Sequence, residues 1–211
     1  MSAARPPRSH FYDGWIYART LDRLLGRLHQ LVADHVEPTA RVLDVGCGTG
    51  DLAWRLAPKA EEVVGIELSP AMVDFANEAR STRALPNVSF VLGDVTTALA
   101  DVPDGHFDLA TAVLVLHEMP AEAWTPVLRE VTRVADRLLC VDFRAPMPWN
   151  VSGVRNRFFE ITAGGEHYRA FREFQRRGGV PAAARDAELS YGLIRPIDAK
   201  TMEMGLIRRP R

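Results

Sequence analysis

Five short apolar runs, separated by helix-forming stretches, occupy residues 40 to 143 and limit what this chain can fold into. ARVLDVG (Ala40 to Gly46), EVVGIE (Glu62 to Glu67), VSFVLGD (Val88 to Asp94), FDLATAVLVL (Phe107 to Leu116) and RLLCVDF (Arg137 to Phe143) are almost continuous in apolar residues. Strands of that kind are buried on both faces, and the helices between them supply the cover. Asp51 to Leu56 reads as the first of those helices. Ser69 is an N-cap ahead of Pro70 at the first helical position, with Met72, Val73 and Ala76 at helical spacing through Arg80. From Ala121 to Ala135, Trp124, Leu128, Val131 and Val134 fall on one side of a further helix. The fold class predicted is α/β, a doubly wound parallel sheet.

The flanks follow other patterns. Trp15 to His35 carries Ile16, Leu21, Leu24, Leu25, Leu28 and Leu31 at helical intervals, an amphipathic helix that would pack beside the sheet. After Phe143, APMPWN is a proline-bearing linker. Val151 to Ala163 and Glu166 to Arg177 then read as helices separated and ended by the Gly164-Gly165 and Gly178-Gly179 pairs. YGLIRPI and TMEMGLIRR, joined by Asp198-Ala199-Lys200, predict an antiparallel hairpin. The expected organisation is one domain over 1–211: an N-terminal helical segment (1–38), a ligand-binding core (39–143), and substrate-side helices with a strand pair (144–211).

Several classes recede on composition. No apolar stretch approaches the ~18 residues of a membrane-spanning helix, and MSAARPPRSH carries no apolar signal segment. Cys47 and Cys140 sit inside apolar runs at neither ligand nor disulfide spacing. A cytoplasmic protein without integral membrane contact is expected; the oligomeric state stays open. A net charge of -1 argues against a broad nucleic-acid surface. Basic residues nevertheless gather after Arg144 and acidic ones before it. The C-terminal third is either a solvated arginine face or a layer that meets an acidic ligand.

The chemical signal is strongest where the first strand meets its helix. Asp44-Val45-Gly46-Cys47-Gly48-Thr49-Gly50 sets three glycines at alternate positions behind an acid. Glycines there let backbone amides approach a ligand closely at a strand's carboxyl end. The pattern is G-x-G-x-G, so neither the G-x-G-x-x-G dinucleotide fingerprint nor the phosphate loop fits. Glu67 ends the second strand, where a carboxylate can accept two hydrogen bonds from a ribose diol. Asp94 ends the third, where a carboxylate can receive the amino group of adenine. Each acid alone is what an ordinary strand end carries; together they line one edge of one sheet.

VLDVGCGTG, VVGIELSPAMV, VLGDVT and FDLATAVLVLHEM, in that order, resemble the successive motifs of the class I S-adenosylmethionine-dependent methyltransferases. The likeness is greatest to the small-molecule group that includes the ubiquinone and menaquinone C-methyltransferases. The resemblance covers roughly residues 40 to 143. It implies S-adenosyl-L-methionine as cofactor and a seven-stranded, mostly parallel Rossmann-like sheet whose last two strands are the C-terminal hairpin. It further implies that Gly46, Gly48 and Gly50 border the methionine part, with Asp44 near its amino group. Glu67 would take the ribose hydroxyls, Leu68 would pack on adenine, and Asp94 with the Val95 backbone would hold the adenine edge.

Methyl transfer from a sulfonium is an in-line displacement in which orientation and desolvation can outweigh acid-base chemistry. Candidates for the acceptor side are His117, followed by Glu118 after the fourth strand, and the His167-Tyr168 pair. Each also has a structural reading: His117 as a loop-orienting residue, Tyr168 as part of a stripe with Phe171 and Phe174. DNA amino-methylation is disfavoured because His117-Glu118-Met119-Pro120 stands where an Asn/Asp-Pro-Pro-aromatic segment would be. Cytosine-carbon and arsenite chemistry lack a placed cysteine. With no local cluster of ligand residues, metal-independent transfer is expected. What remains is a small-molecule acceptor, with Phe11, Tyr12, Trp15 and Tyr17 on one side and Trp149, Phe158 and Phe159 on the other either roofing its pocket or sealing helices to the sheet. Arg169, Arg172, Arg176 and Arg177 suggest an anionic acceptor under a lid hinged at the glycine pairs. A catalytically silent cofactor-binding scaffold and a nicotinamide oxidoreductase are the competing classes.

Overall fold

The computed structural model describes residues 25–210. Along the chain run helix α1 (25–33), β1 (Arg41–Val45), α2 (Asp51–Leu56), β2 (Glu62–Glu67), α3 (Pro70–Arg83), β3 (Val88–Leu92), α4 (Val95–Ala98) and β4 (Leu109–Val113). A 3-10 turn (Leu116–Glu118), α5 (Ala121–Val134), β5 (Leu138–Phe143), α6 (Val151–Thr162), α7 (Gly165–Arg177), α8 (Gly179–Asp186), β6 (Ser190–Ile197) and β7 (Met202–Arg208) follow. The first half of the predicted N-terminal helix, with Trp15 and Tyr17, lies outside the described residues, as do Phe11 and Tyr12 ahead of it.

The strands form one seven-stranded sheet in the order β3-β2-β1-β4-β5-β7-β6. β1 to β5 pair in parallel, and β7 inserts antiparallel between β5 and β6. Strand order reverses between β1 and β4, so the connections leaving those strands diverge to opposite faces and open a crevice at their carboxyl ends. Alternate side chains serve alternate faces: Leu43 and Val45 join the core under α5, α7 and α8, while Val42 joins the core under α1 and α2. All six residues of β5 are buried, as a central strand covered on both faces requires. Among the described residues no helix is long and apolar enough to cross a membrane.

Local chemistry matches these elements. Ser69 accepts from Met72 N at the start of α3 with Pro70 at its first position, and Asn150 Oδ1 accepts from Gly153 N (2.8 Å) at the start of α6. His29 Nδ1 lies 2.7 Å from Asp51 Oδ2, fastening α1 to the helix behind the glycine loop. α8 was not expected. Gly178 (φ 102) and Gly179 (φ 68) turn the chain sharply from α7 into α8 instead of ending the helical region. A Cβ at Gly179 would stand 3.0 Å from Ala145 Cβ and 3.4 Å from the Phe174 ring. That pair is a packed corner, which corrects its reading as a hinge; Gly164 and Gly165 have open space around them.

The hairpin depends on one close approach. A Cβ at Gly205 of β7 would fall 2.2 Å from Tyr191 Cε2. Tyr191 lies across this glycine and donates its hydroxyl to Glu203 Oε1 (3.0 Å). Gly205→Ala must displace the ring or the strand, at a cost of about 1–3 kcal/mol. A drop in Tm of several degrees by calorimetry is expected; an unchanged Tm would mean the ring moves away freely.

Candidate active site

The glycine loop is pinned to β2, where Gly46 N and Cys47 N both donate to Ile66 O (2.8 and 3.1 Å). Gly46, Gly48 and Gly50 all have positive φ (65, 54 and 83). A Cβ at Gly46 would stand 2.7 Å from Val115 Cγ2, and one at Gly50 would stand 2.6 Å from Phe90 Cζ. The loop thus needs glycine for backbone conformation and for space. Gly65 belongs with them and was missed from sequence: a Cβ there would fall 2.7 Å from Cys47 Sγ. A glycine inside the apolar run of β2 was the available signal.

The three acids at strand ends differ in state. Asp44 is buried; Thr111 Oγ1 donates to its Oδ1 (2.7 Å), and its Oδ2 is buried without a partner among the described residues. Burial raises this carboxyl to about 6, against the opposing effects of the Thr111 hydrogen bond and of His29. Glu67 is held by backbone: Leu68 N (2.8 Å) and Ser69 N (2.9 Å) donate to Oε1, and Gly48 N (3.0 Å) donates to Oε2. With Oε1 filled, one lone pair on Oε2 remains for a ligand hydroxyl unless the side chain turns. Leu68 is 64% exposed at the same edge. Asp94 caps α4, its Oδ1 accepting from the Thr96 amide and hydroxyl, and Val95 is the first residue of that helix.

Across the crevice, β4 ends in Leu114 at φ 59, a left-handed conformation that a branched residue adopts only under constraint. The 3-10 turn follows and buries His117. Asp142, fully buried at the end of β5, accepts from Leu116 N (2.9 Å) and His117 N (3.3 Å) on Oδ2, and from Phe143 N (2.7 Å) on Oδ1. His117 Nδ1 lies 2.7 Å from the same Oδ1. A carboxylate only accepts, so Nδ1 carries a proton. Burial alone would lower His117, but the charge and hydrogen bond of Asp142, with Glu160 and Glu118 behind them, prevail and raise it to about 9. Glu118 is raised by its enclosure, with Glu160 and Glu67 adding to the shift and the two histidines opposing it. It thus senses both sides of the crevice.

The fold also brings in residues that no local spacing pointed to. Arg155 bonds Asp198 Oδ2 (2.9 Å) and Asn156 bonds Thr201 Oγ1 (3.2 Å), docking α6 on the β6–β7 turn and carrying buried Glu160 toward His117. Glu160 Oε2 lies 3.7 Å from His117 Nε2 and 2.6 Å from His167 Nε2. The imidazoles of His117 and His167 meet edge to face at 5.7 Å, and Tyr168 stacks on Phe171. The two histidine candidates therefore converge, with Glu160 between them. The sequence holds no local cluster of ligand residues, but the fold assembles a distant one: among the described residues, ligand atoms of His117, Glu160 and His167 lie within 4.8 Å of one another. They are distant in sequence, and only the placing of α6 and α7 over β5 unites them.

Arg169, Arg172, Arg176 and Arg177 are exposed, and the last two pair with Glu173 on their own helix. They form a solvated face apart from the carboxylates that line the crevice. Trp149, Phe158 and Phe159 are also exposed, whereas Phe171 and Phe174 anchor α7 in the core.

Residues 42–137 match the methyltransferase domain family. The chain is 36% identical over 130 residues to a demethylmenaquinone methyltransferase of Beutenbergia cavernae, covering 61% of this chain and 50% of that protein. It is 32% identical over 177 residues to a 27-O-demethylrifamycin SV methyltransferase of Amycolatopsis mediterranei, covering 80% and 62%. The chain therefore spans less than two thirds of either relative. The crystal structure of a SAM-dependent methyltransferase from Aquifex aeolicus superposes with a TM-score of 0.61 at 20% identity, over 91% of this chain and 96% of that one. The sheet has the Rossmann-like methyltransferase fold.

The raised Asp44 carboxyl links the site to stability. Its ordinary value is 3.8, so the fold holds this proton more tightly than the unfolded chain does. The cost of keeping Asp44 ionised is full above about 6 and is relieved as pH falls toward 3.8. From pH about 7.5 to about 5 the native protein should gain on the order of 1–2 kcal/mol relative to Asp44→Asn, measured by urea unfolding. His117 contributes stability that is complete below 6.5 and lost as pH rises through about 9; common to both proteins, it cancels in the difference. A pH-independent difference would show that Asp44 pays no burial cost.

Proposed function

We propose, from the premise that residues 42–137 are a methyltransferase domain, that this chain transfers a methyl group from S-adenosyl-L-methionine to a small-molecule acceptor. The orphaned Asp44 Oδ2 carries the reading: a buried carboxylate oxygen without a donor costs free energy, and a ligand ammonium group beside it offsets that cost. The chain fits such a ligand further along the edge. Gly46, Gly48 and Gly50, all at positive φ, shape the loop against β2, Glu67 retains one acceptor position on Oε2, and Leu68 offers an exposed apolar side. Asp94, fixed by Thr96, and the Val95 backbone stand where an adenine edge would be held. The cofactor supplies a methyl group on a positively charged sulfur, so the leaving group departs neutral and needs no proton.

The acceptor side falls to His117, His167 and Tyr168. Asp142 fixes the His117 ring and its tautomer, and Phe143, Phe171 and Phe174 pack edge-on around it. Such a site orients an acceptor and excludes water more than it drives proton transfer. The convergence of Glu118, Asp142 and Glu160 favours a neutral hydroxyl or enol acceptor over the anionic one that the α7 arginines suggested. The two relatives named above are named as methyltransferases of demethylmenaquinone and 27-O-demethylrifamycin SV, which supports a small-molecule acceptor here; against a nucleic-acid acceptor stands the net charge of -1. A cytoplasmic enzyme is the corresponding location. No observation favours the silent scaffold over the enzyme.

Titration calorimetry with S-adenosylmethionine tests the donor side. Loss of each charge-assisted hydrogen bond in Glu67→Ala and Asp94→Ala should weaken binding about 10- to 100-fold, with folding checked by Tm because Asp94 also caps α4. Unchanged affinity in both variants would overturn the assignment. Cofactor bound tightly but never converted to S-adenosylhomocysteine across a panel of hydroxylated aromatic and polyketide acceptors would leave the scaffold.

A further inference from the structure

We infer that His117 Nε2, Glu160 and His167 Nε2 form a binding site for one divalent transition-metal ion, zinc being the ion that suits them, with an open fourth position facing the crevice. Two imidazoles and a carboxylate are the ligand set of an open, three-residue zinc site. Metal–ligand bonds of about 2.0–2.1 Å in a tetrahedron place the ligand atoms about 3.3 Å apart. Here the Glu160 oxygen is 3.7 Å from one imidazole nitrogen and 2.6 Å from the other, and all three atoms lie within 4.8 Å. Movements of under about 1 Å per side chain would bring them to that geometry, within the rotamer adjustment that side chains make on binding.

The surroundings make this more than a chance meeting of polar groups. His117 Nδ1 is committed to Asp142 Oδ1 at 2.7 Å, which leaves Nε2 as the nitrogen that faces Glu160 and gives up its proton when a metal ion binds. A carboxylate on the distal nitrogen of a metal-bound histidine is the outer partner that fixes tautomer and ring direction and raises ligand basicity. Asp142 is itself held by three backbone amides, so the support is rigid. The three ligand side chains are 3%, 9% and 13% exposed, and aromatic rings of Phe143 and Phe171 close in beside His117. Two buried carboxylates, Asp142 and Glu160, face the two imidazoles, and Glu118, its side chain 39% exposed, stands at the mouth of the cluster. Carboxylates taken out of water create a need for compensating positive charge. A divalent ion answers it and leaves a coordination position for water or an acceptor oxygen.

This site does not depend on the methyl-donor reading, and metal binding is measured directly. Tag-free protein is stripped with chelator, dialysed, and titrated with Co²⁺ as a spectroscopic stand-in, then with Zn²⁺ in competition. One ion per chain is expected, with the visible d–d bands of tetrahedral cobalt bleached by zinc. Glu160→Gln and His167→Ala should each weaken cobalt binding at least about tenfold, and Asp142→Asn should weaken it about 10- to 100-fold, with folding checked by Tm because Asp142 also holds the turn after β4. The Tm of Glu160→Gln and His167→Ala should stay within a few degrees of the metal-free wild type, which shows that those variants are folded and keeps the metal reading separable from the methyl-donor one. Absence of cobalt bands in the wild-type protein, or bands that persist unchanged in both Glu160→Gln and His167→Ala, would overturn the inference and leave the cluster a hydrogen-bonded network.

Discussion

The carboxylate of Asp142 joins the carboxyl ends of β4 and β5, and most of the crevice geometry depends on it. Its two oxygens gather the amides of Leu116, His117 and Phe143 and the Nδ1 of His117. A buried ion is costly unless its lone pairs are filled, and here four donors fill them. Turning the chain after β4 exposes the amides of a 3-10 turn that no strand can pair. Asp142 supplies the acceptor those amides lack, and the turn supplies the donors Asp142 needs. Trp124 Nε1 closes the arrangement by donating to Leu116 O (3.0 Å), tying α5 to the same turn.

Around this anchor the strain and the unsatisfied chemistry are concentrated on one edge. Leu114 is left-handed, Gly46, Gly48 and Gly50 have positive φ, and Asp44 keeps an oxygen buried without a partner. The β6–β7 turn, beside the carboxyl end of β5, shows a different pattern: the left-handed run Asp198, Ala199 and Lys200 is stitched by Thr201, Arg155 and Asn156. Strain there is compensated by local hydrogen bonds, whereas the orphan oxygen at Asp44 is not. Local rules broken without compensation mark the functional edge.

The parallel strands and the glycine loop were legible because they depend on local pattern: continuous apolar runs for strands buried on both faces, and alternate glycines where a Cβ would strike Val115 or Phe90. The number of strands came from the resemblance of the motifs and the hairpin from its turn, whereas the order β3-β2-β1-β4-β5-β7-β6 came only with the structure. α8 was not legible, because a Gly-Gly pair signals a helix stop whether the chain then continues as a loop or turns a packed corner into another helix. Glu160 was beyond reach for a different reason. It sits in the last turn of α6, where an acid reads as solvated surface, and only the docking of Arg155 and Asn156 on a turn some forty residues downstream brings it inward. A long-range contact of that kind leaves no periodic trace in the residues around it.

The two halves of the crevice are positioned by one short stretch of backbone. Val115 fills the space that a Cβ on Gly46 would take, so its side chain buttresses the glycine loop. Two residues later the same turn delivers His117 into the Asp142 and Glu160 cluster, and one residue after that it places Glu118, whose carboxyl feels both Glu67 and Glu160. Close-packed contacts of this sort transmit displacement because no free volume absorbs it. A change at the glycine loop therefore reaches the imidazoles through Val115, over a path of a few bonded residues. Orientation of two reactants demands that coupling: the donor edge and the acceptor cluster are held on one rigid turn, and their separation is set by the covalent geometry between residues 115 and 118.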